Sequence, residues 1–214
     1  MRREDIITQK SNPLWDFLQA HNCSFYSPLS QDDTSDWISG NSMQKYANDS
    51  VVWDSNLNMW MFTYVSGQPN ANNAYYAKWN LASPILSGSL VHFCAIAEVY
   101  SYDSPTYTPN TILNYDLLPT RMGLAMYANQ NTLSQCCQTL DSSGSVTKQY
   151  QYTNGVQNLT YTYTSKNTMQ YQDAIRIGVP NSNVARKRFA MRNFAFFFGD
   201  VLTKSQIDEY FTLI

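Results

Sequence analysis

A chain of 214 residues with 43% hydrophobic, 14% aromatic and only 14% charged residues has the composition of a folded protein, long enough for one large domain or two small ones. The net charge of −2 gives no nucleic-acid footprint, and no apolar run approaches the roughly 18 residues that a membrane span needs. Polarity comes from uncharged groups: Asn, Gln, Ser and Thr total 73 residues. Such a surface hydrogen-bonds without strong fields and suits β-rich extracellular, adhesive or virion proteins better than cytosolic enzymes.

The first ten residues, Met1 to Lys10, are charged and lack a following apolar core, so they do not read as a signal peptide. Without one, the sequons at Asn22, Asn48 and Asn158 are taken as chance matches. Residues 1–11 read as a polar arm, of the kind that orders on a neighbouring subunit. A short helix follows, with Asn12 as cap, Pro13 in the first turn, and Trp15, Leu18 and Leu14 on its apolar side. Arm and helix make a first unit, 1–22; residues 23–214, which show no repeat and no low-complexity linker, make a single β-sandwich domain. Asp32, Asp33 and Asp36 offer three carboxylates in five positions, but they lack the glycine and spacing of a calcium loop and read as Asx-turn acceptors.

Ser50–Asp54 and Met59–Val65 predict two strands joined by the polar turn Ser55–Asn58, and Tyr75–Trp79 a further strand. Leu90–Tyr100 is the longest apolar run; it reads as a central strand, although periodicity alone leaves a helix open. Arg121–Tyr127 and Gln135–Leu140 are strand-like. The four cysteines, Cys23, Cys94, Cys136 and Cys137, match neither a disulfide framework nor a zinc site, and are expected as buried thiols.

Asn154-Gly155 is the favoured type I′ pair and predicts a hairpin over Val146–Thr164. A two-residue loop sets Tyr152 opposite Gln157, Tyr150 opposite Leu159, Lys148 opposite Tyr161 and Val146 opposite Tyr163. That aromatic side is expected to face the core. The Thr147, Gln149, Gln151 and Thr153 side is expected to face water or a partner. Asp173–Gly178 predicts another strand. Arg186-Lys187-Arg188, with Arg192 after it, reads as a solvated basic loop, with contact to phosphate or an acidic partner as the sharper alternative.

The C-terminus is the most explicit stretch. Phe194, Phe196 and Phe198 alternate with Ala195 and Phe197, predicting a strand covered on both faces. After Gly199-Asp200, Thr203 and Gln206 predict a capping box, with Leu202 and Ile207 as hydrophobic staple. Ile207, Tyr210, Phe211 and Ile214 then recur at helical spacing.

Three patterns carry a resemblance to a known family: Tyr152-Thr-Asn-Gly-Val156, Ala174-Ile-Arg-Ile-Gly178, and the ending from Phe194 to Phe211 with Leu202, Thr203, Gln206 and Ile207. Together they resemble the laminin G-like jelly rolls of the concanavalin A-like lectin/glucanase superfamily, over roughly residues 145–214. The resemblance implies an all-β, antiparallel sandwich (jelly roll) with a short helix at each end. It says little about function, because the fold hosts lectins, glycosidases, adhesion modules and virion parts.

An enzyme is not expected. Glycoside hydrolysis needs two carboxylates flanking the scissile bond, and the superfamily's Glu-x-Asp-x-x-Glu pattern is missing; Glu98 and Asp103 are the nearest approximation. His92 lies in an apolar run and reads as a satisfied core histidine, His21 is the other histidine, and no cofactor or metal site is expected. A glycan platform is the second reading, built from Tyr75, Tyr76 and Trp79, or from Tyr100, Tyr102 and Tyr107 with Asp103. The reading placed first is a structural or adhesive subunit of a larger assembly, such as a virion. It would contact other protein subunits through the N-terminal arm and surface glycans weakly, on a particle surface or in an extracellular assembly.

Overall fold

The computed structural model describes residues 12–45, 50–63, 77–90, 92–102, 110–111, 125–126, 128, 130–143, 146–163, 171–177 and 188–214. The N-terminal arm lies outside them. Helix α1 (Pro13–Ala20) is capped as its sequence predicts: the Leu14 amide donates to the Asn12 side-chain oxygen at 3.0 Å, and Pro13 fills the first turn. Its buried side is Leu14, Phe17 and Leu18, with Trp15 only partly buried. Strands β1 (Phe25–Ser27), β2 (Gln44–Lys45), β3 (Val51–Asp54) and β4 (Met59–Phe62) follow. Then come β5 (Ala77–Ile85), β6 (His92–Ser101) and the short β7 (Asn110–Thr111) and β8 (Ala125–Met126), which pair with each other. The chain continues through β9 (Leu133–Ser143), β10 (Val146–Thr153) and β11 (Val156–Tyr163). It closes with β12 (Gln172–Ile177), β13 (Phe189–Phe198) and α2 (Lys204–Leu213).

Among the described residues the larger sheet runs β11-β10-β9-β6-β13-β4-β3, antiparallel throughout, and β1 joins β13 beyond the end of β4. The smaller sheet runs β12-β5-β2. Phe93, Ala95, Phe189, Phe194 and Phe196 of the larger sheet pack against Trp79, Ile85, Ile175 and Ile177 of the smaller one. The chain is therefore an antiparallel β-sandwich with a helix near each end. From His92 onward the Leu90–Tyr100 run is a strand, and it is central: β6 lies between β9 and β13.

The outer face of the larger sheet has its own apolar cluster. Cys94, Ile96, Cys137, Ala195 and Phe197 receive Leu14, Phe17 and Leu18 of α1 and Ile207 and Tyr210 of α2. This explains the alternation at the C-terminus, where Phe194 and Phe196 face the smaller sheet and Ala195 and Phe197 face the helices. The adjacent Cys136 and Cys137 separate in the same way, one to each cluster. All four cysteines are buried thiols outside any disulfide.

Helix α2 begins in a complete capping box, in which the Thr203 hydroxyl accepts the Gln206 amide and the Gln206 side chain accepts the Thr203 amide at 2.8 Å. Thr203→Ala is expected to cost about 1 kcal/mol, read as a lower thermal midpoint in circular dichroism.

Two bulges reset the faces. In β13 the register against β6 breaks between Arg192 and Ala195, and Asn193 takes the left-handed conformation at φ 51°. The extra residue allows Phe189 and Met191 to share the inner side with Phe194 and Phe196. In the Asn154-Gly155 hairpin, Tyr152 stands opposite Gln157 as expected. Beyond a second irregularity Tyr150 stands opposite Thr160 and Lys148 opposite Thr162, not Leu159 and Tyr161.

The expected faces of β10 are also reversed. Thr147, Gln149, Gln151 and Thr153 are buried, Tyr150 and Tyr152 are half-buried, and Lys148 is exposed. The cause is the pairing with β9: Gln149 lies opposite Leu140 and Thr153 opposite Cys136, both in the inter-sheet core, whereas Tyr152 lies opposite Cys137 on the outer side.

Candidate functional site

The two helices cover the outer face of the larger sheet over Cys94, Ile96, Ala195 and Phe197. Toward the other end of β6 and β13 the same face carries Glu98, Tyr100, Ala190 and Arg192. There Tyr100 lies opposite Leu133 on one side and Ala190 on the other, and Ala190 lies opposite Met61. Tyr100 and Met61 are half-buried, and Leu133 and Val52 are exposed.

Tyr102 stands just past β6. Its ring meets that of Tyr100 edge-on, with centroids 5.0 Å apart. Its backbone amide donates to the Arg188 carbonyl at 3.1 Å, which ties it to the start of β13. Its hydroxyl donates to Asp54 Oδ2 at 2.5 Å, and the Arg188 guanidinium lies over its ring at 4.7 Å from the centroid. Asp54 also accepts the Asn56 and Leu57 amides in the turn after β3. The Tyr102 hydroxyl first, against the opposing effect of burial and with lesser help from the Leu57 and Asn56 amides, holds the Asp54 carboxyl below the usual carboxylate range. Burial first and the Asp54 carboxylate second push the Tyr102 phenol up. The clamp is thus a neutral phenol on a carboxylate that stays ionised into mild acid.

Below Tyr100 lies an ion pair. Arg192 Nε donates to Glu98 Oε2 at 2.7 Å and its Nη2 to Oε1 at 3.4 Å, while Asn193 Nδ2 donates to Oε2 at 2.8 Å. Tyr26 donates its hydroxyl to Asn193 Oδ1, and Tyr210 donates to the Asn193 carbonyl. The bulge is therefore pinned from three directions.

The sequence candidates divide sharply. Tyr100 and Tyr102 come together; Tyr75, Tyr76, Asp103 and Tyr107 lie outside the described residues. Trp79 is not a surface platform, because its side chain is 0% exposed, it meets Phe25 edge-on at 5.3 Å, and its indole N–H donates to the Thr34 carbonyl at 2.7 Å. Sequence reasoning missed Asp54 and the placement of Arg192, although the turn after Asp54 and the basic cluster were both visible. A second aromatic pair, Trp53 and Trp60 at 5.5 Å, stands on the opposite side of β3 and β4, but there Lys45 Nζ already lies 4.4 Å from the centre of the Trp60 ring.

Asp33 and Asp36 are turn acceptors. Asp33 takes the Ser35 amide and the Trp37 indole N–H, and buried Asp36 takes the amides of Tyr26, Ile38 and Ser39. Among the described residues no group of three His, Cys, Asp or Glu side chains is placed to hold a metal ion. Glu98 is engaged by Arg192 and Asn193. His92 is half-exposed at the start of β6, not in the core, and pairs with Asp141 at 2.8 Å; His21 faces Asp200 at 3.4 Å. No helix among the described residues is long and apolar enough to cross a membrane.

No family model matches the sequence, and no curated protein matches it. Solved structures do resemble it. The botulinum neurotoxin serotype G binding domain superposes with a TM-score of 0.61 at 12% identity, covering 89% of this chain and 51% of that one. The botulinum neurotoxin serotype D ligand binding domain in complex with N-acetylneuraminic acid gives 0.60 at 12% identity, covering 92% of this chain and 52% of that one. The likeness is one of fold. This chain spans about half the length of those structures, both of them neurotoxin binding domains. The sandwich implied by the laminin G-like patterns is present.

Proposed function

We propose that this chain is a glycan-binding module whose site is the helix-free end of the outer face, centred on Tyr100 and Tyr102. One observation carries the reading: two half-exposed tyrosines in edge contact, fixed by Asp54 and by the Arg188 backbone, stand beside charged groups on the outer face of the sheet. Sugars bind such places through the faces of rigid aromatics, which add contact area at little entropic cost, and through fixed polar groups that set orientation. The fold is shared with neurotoxin binding domains, one of them in complex with N-acetylneuraminic acid.

Tyr102→Ala is expected to weaken binding to the best ligand on a glycan array by roughly tenfold or more, the usual loss for a buried aromatic anchor. Tyr102→Phe, which keeps the ring and loses the Asp54 bond, should fall between wild type and Ala. A wild-type chain that binds a glycan equally well as Tyr102→Ala would place the site elsewhere. The assembly-subunit reading leans on the N-terminal arm, which lies outside the described residues, and takes second place.

A further inference from the structure

The charged groups around the tyrosine pair are not equivalent, and the difference points to the class of sugar. Resting on the glycan-binding reading, we infer that Arg192 is a specificity-determining residue that selects a sugar carrying a carboxylate.

Among the described residues, both carboxylates near the site are already hydrogen-bonded by the protein. Glu98 accepts from Arg192 Nε, Arg192 Nη2 and Asn193 Nδ2, and Asp54 accepts from the Tyr102 hydroxyl and two backbone amides. Arg192 is different. Its Nη1 takes part in no hydrogen bond among the described residues, and its side chain is 29% exposed against 11% for Glu98. The ion pair is therefore oriented, with the anion beneath and the cation toward solvent.

Residue 192 lies opposite Glu98 and one step diagonal from Tyr100, on the same face. Glu98 also holds the guanidinium plane in one orientation, so its open edge is pre-organised. A fixed planar fork is the geometry that recognises a carboxylate through paired hydrogen bonds, which a lysine cannot reproduce. Arg188 over the Tyr102 ring adds a second positive charge at the site. A neutral sugar would use the tyrosines and leave Arg192 idle; a uronic or sialic acid would use both.

The test is a broad glycan array that includes matched probes: 3′-sialyllactose with lactose, and trigalacturonic acid with its methyl ester. The wild-type chain is expected to prefer the acidic member of at least one pair by about tenfold, the scale of one charge-assisted contact. That preference should shrink as salt is raised. Arg192→Lys, which can still pair with Glu98, should reduce the preference to under about threefold. The salt dependence of the wild type is an independent readout should the variant fold poorly. Neutral and acidic members bound equally by the wild type, or a preference that survives Arg192→Lys, overturns the inference and leaves the glycan reading standing. No binding to any immobilised glycan removes both.

Discussion

Trp79→Ala is expected to lower stability by about 4 kcal/mol, toward the upper end for loss of a large buried aromatic. In a chain of this size that is a drop of roughly 10 °C in thermal midpoint. Three losses combine. The indole leaves a void between the two sheets, where its ring meets Phe25 and where Phe194 lies beyond it, 5.3 Å from Phe25. The Thr34 carbonyl loses its donor. Strand β5 also loses its largest inner residue, just where it pairs with Ile175 of β12. Thermal unfolding followed by near-ultraviolet circular dichroism reads the change. Glycan binding per folded molecule should stay within about twofold of wild type, because a core residue acts on stability and not on contact with ligand. A variant that melts like wild type but loses glycan binding would return Trp79 to the surface.

That residue also illustrates what a sequence can carry. Local signals with a full chemical signature were legible: Asn12-Pro13, the Thr203–Gln206 box, the Asn154-Gly155 turn and the two-faced Phe194–Phe198 strand all form as read. What failed was choosing between two faces. Period-2 alternation says that two faces differ, not which is covered; on β10 the amide and hydroxyl side is the buried one, because its register with β9 places it there. Tyrosine and tryptophan are ambiguous for the same reason, each having an apolar body and a polar handle. Trp79 satisfies its N–H inside the protein, while Tyr102 satisfies its hydroxyl at the surface. The bulge at Asn193 had no sequence flag beyond an asparagine, and the meeting of Asp54 with Tyr102 depends on the long-range pairing of β3, β4, β13 and β6. Long-range pairings of this kind leave no mark within a local window.

Glu98→Ala should be nearly as damaging, at about 3 kcal/mol, because it leaves Arg192 and the Asn193 amide without their shared acceptor. The figure sits at the low end for a broken buried pair because part of the Arg192 side chain reaches solvent. Glu98→Gln keeps one acceptor oxygen and the shape, and should cost less than Ala. The consequence differs from that of Trp79→Ala. Asn193 occupies the left-handed region at φ 51°, which asparagine adopts more readily than other non-glycine residues. Glu98, Tyr26 and Tyr210 are what hold it. Loosening that bulge frees Arg192 on one side and the register of β13 against β6 on the other, so the tyrosine platform should lose order along with stability. Glu98→Ala is therefore expected to lower both the thermal midpoint and glycan affinity per folded molecule. A double-mutant cycle between Glu98 and Arg192 gives the coupling directly, expected above 1 kcal/mol by roughly the margin seen for charged hydrogen bonds. Additive single-mutant losses would mean that the pair is an exposed ornament and that the bulge is held by Tyr26 and Tyr210 alone.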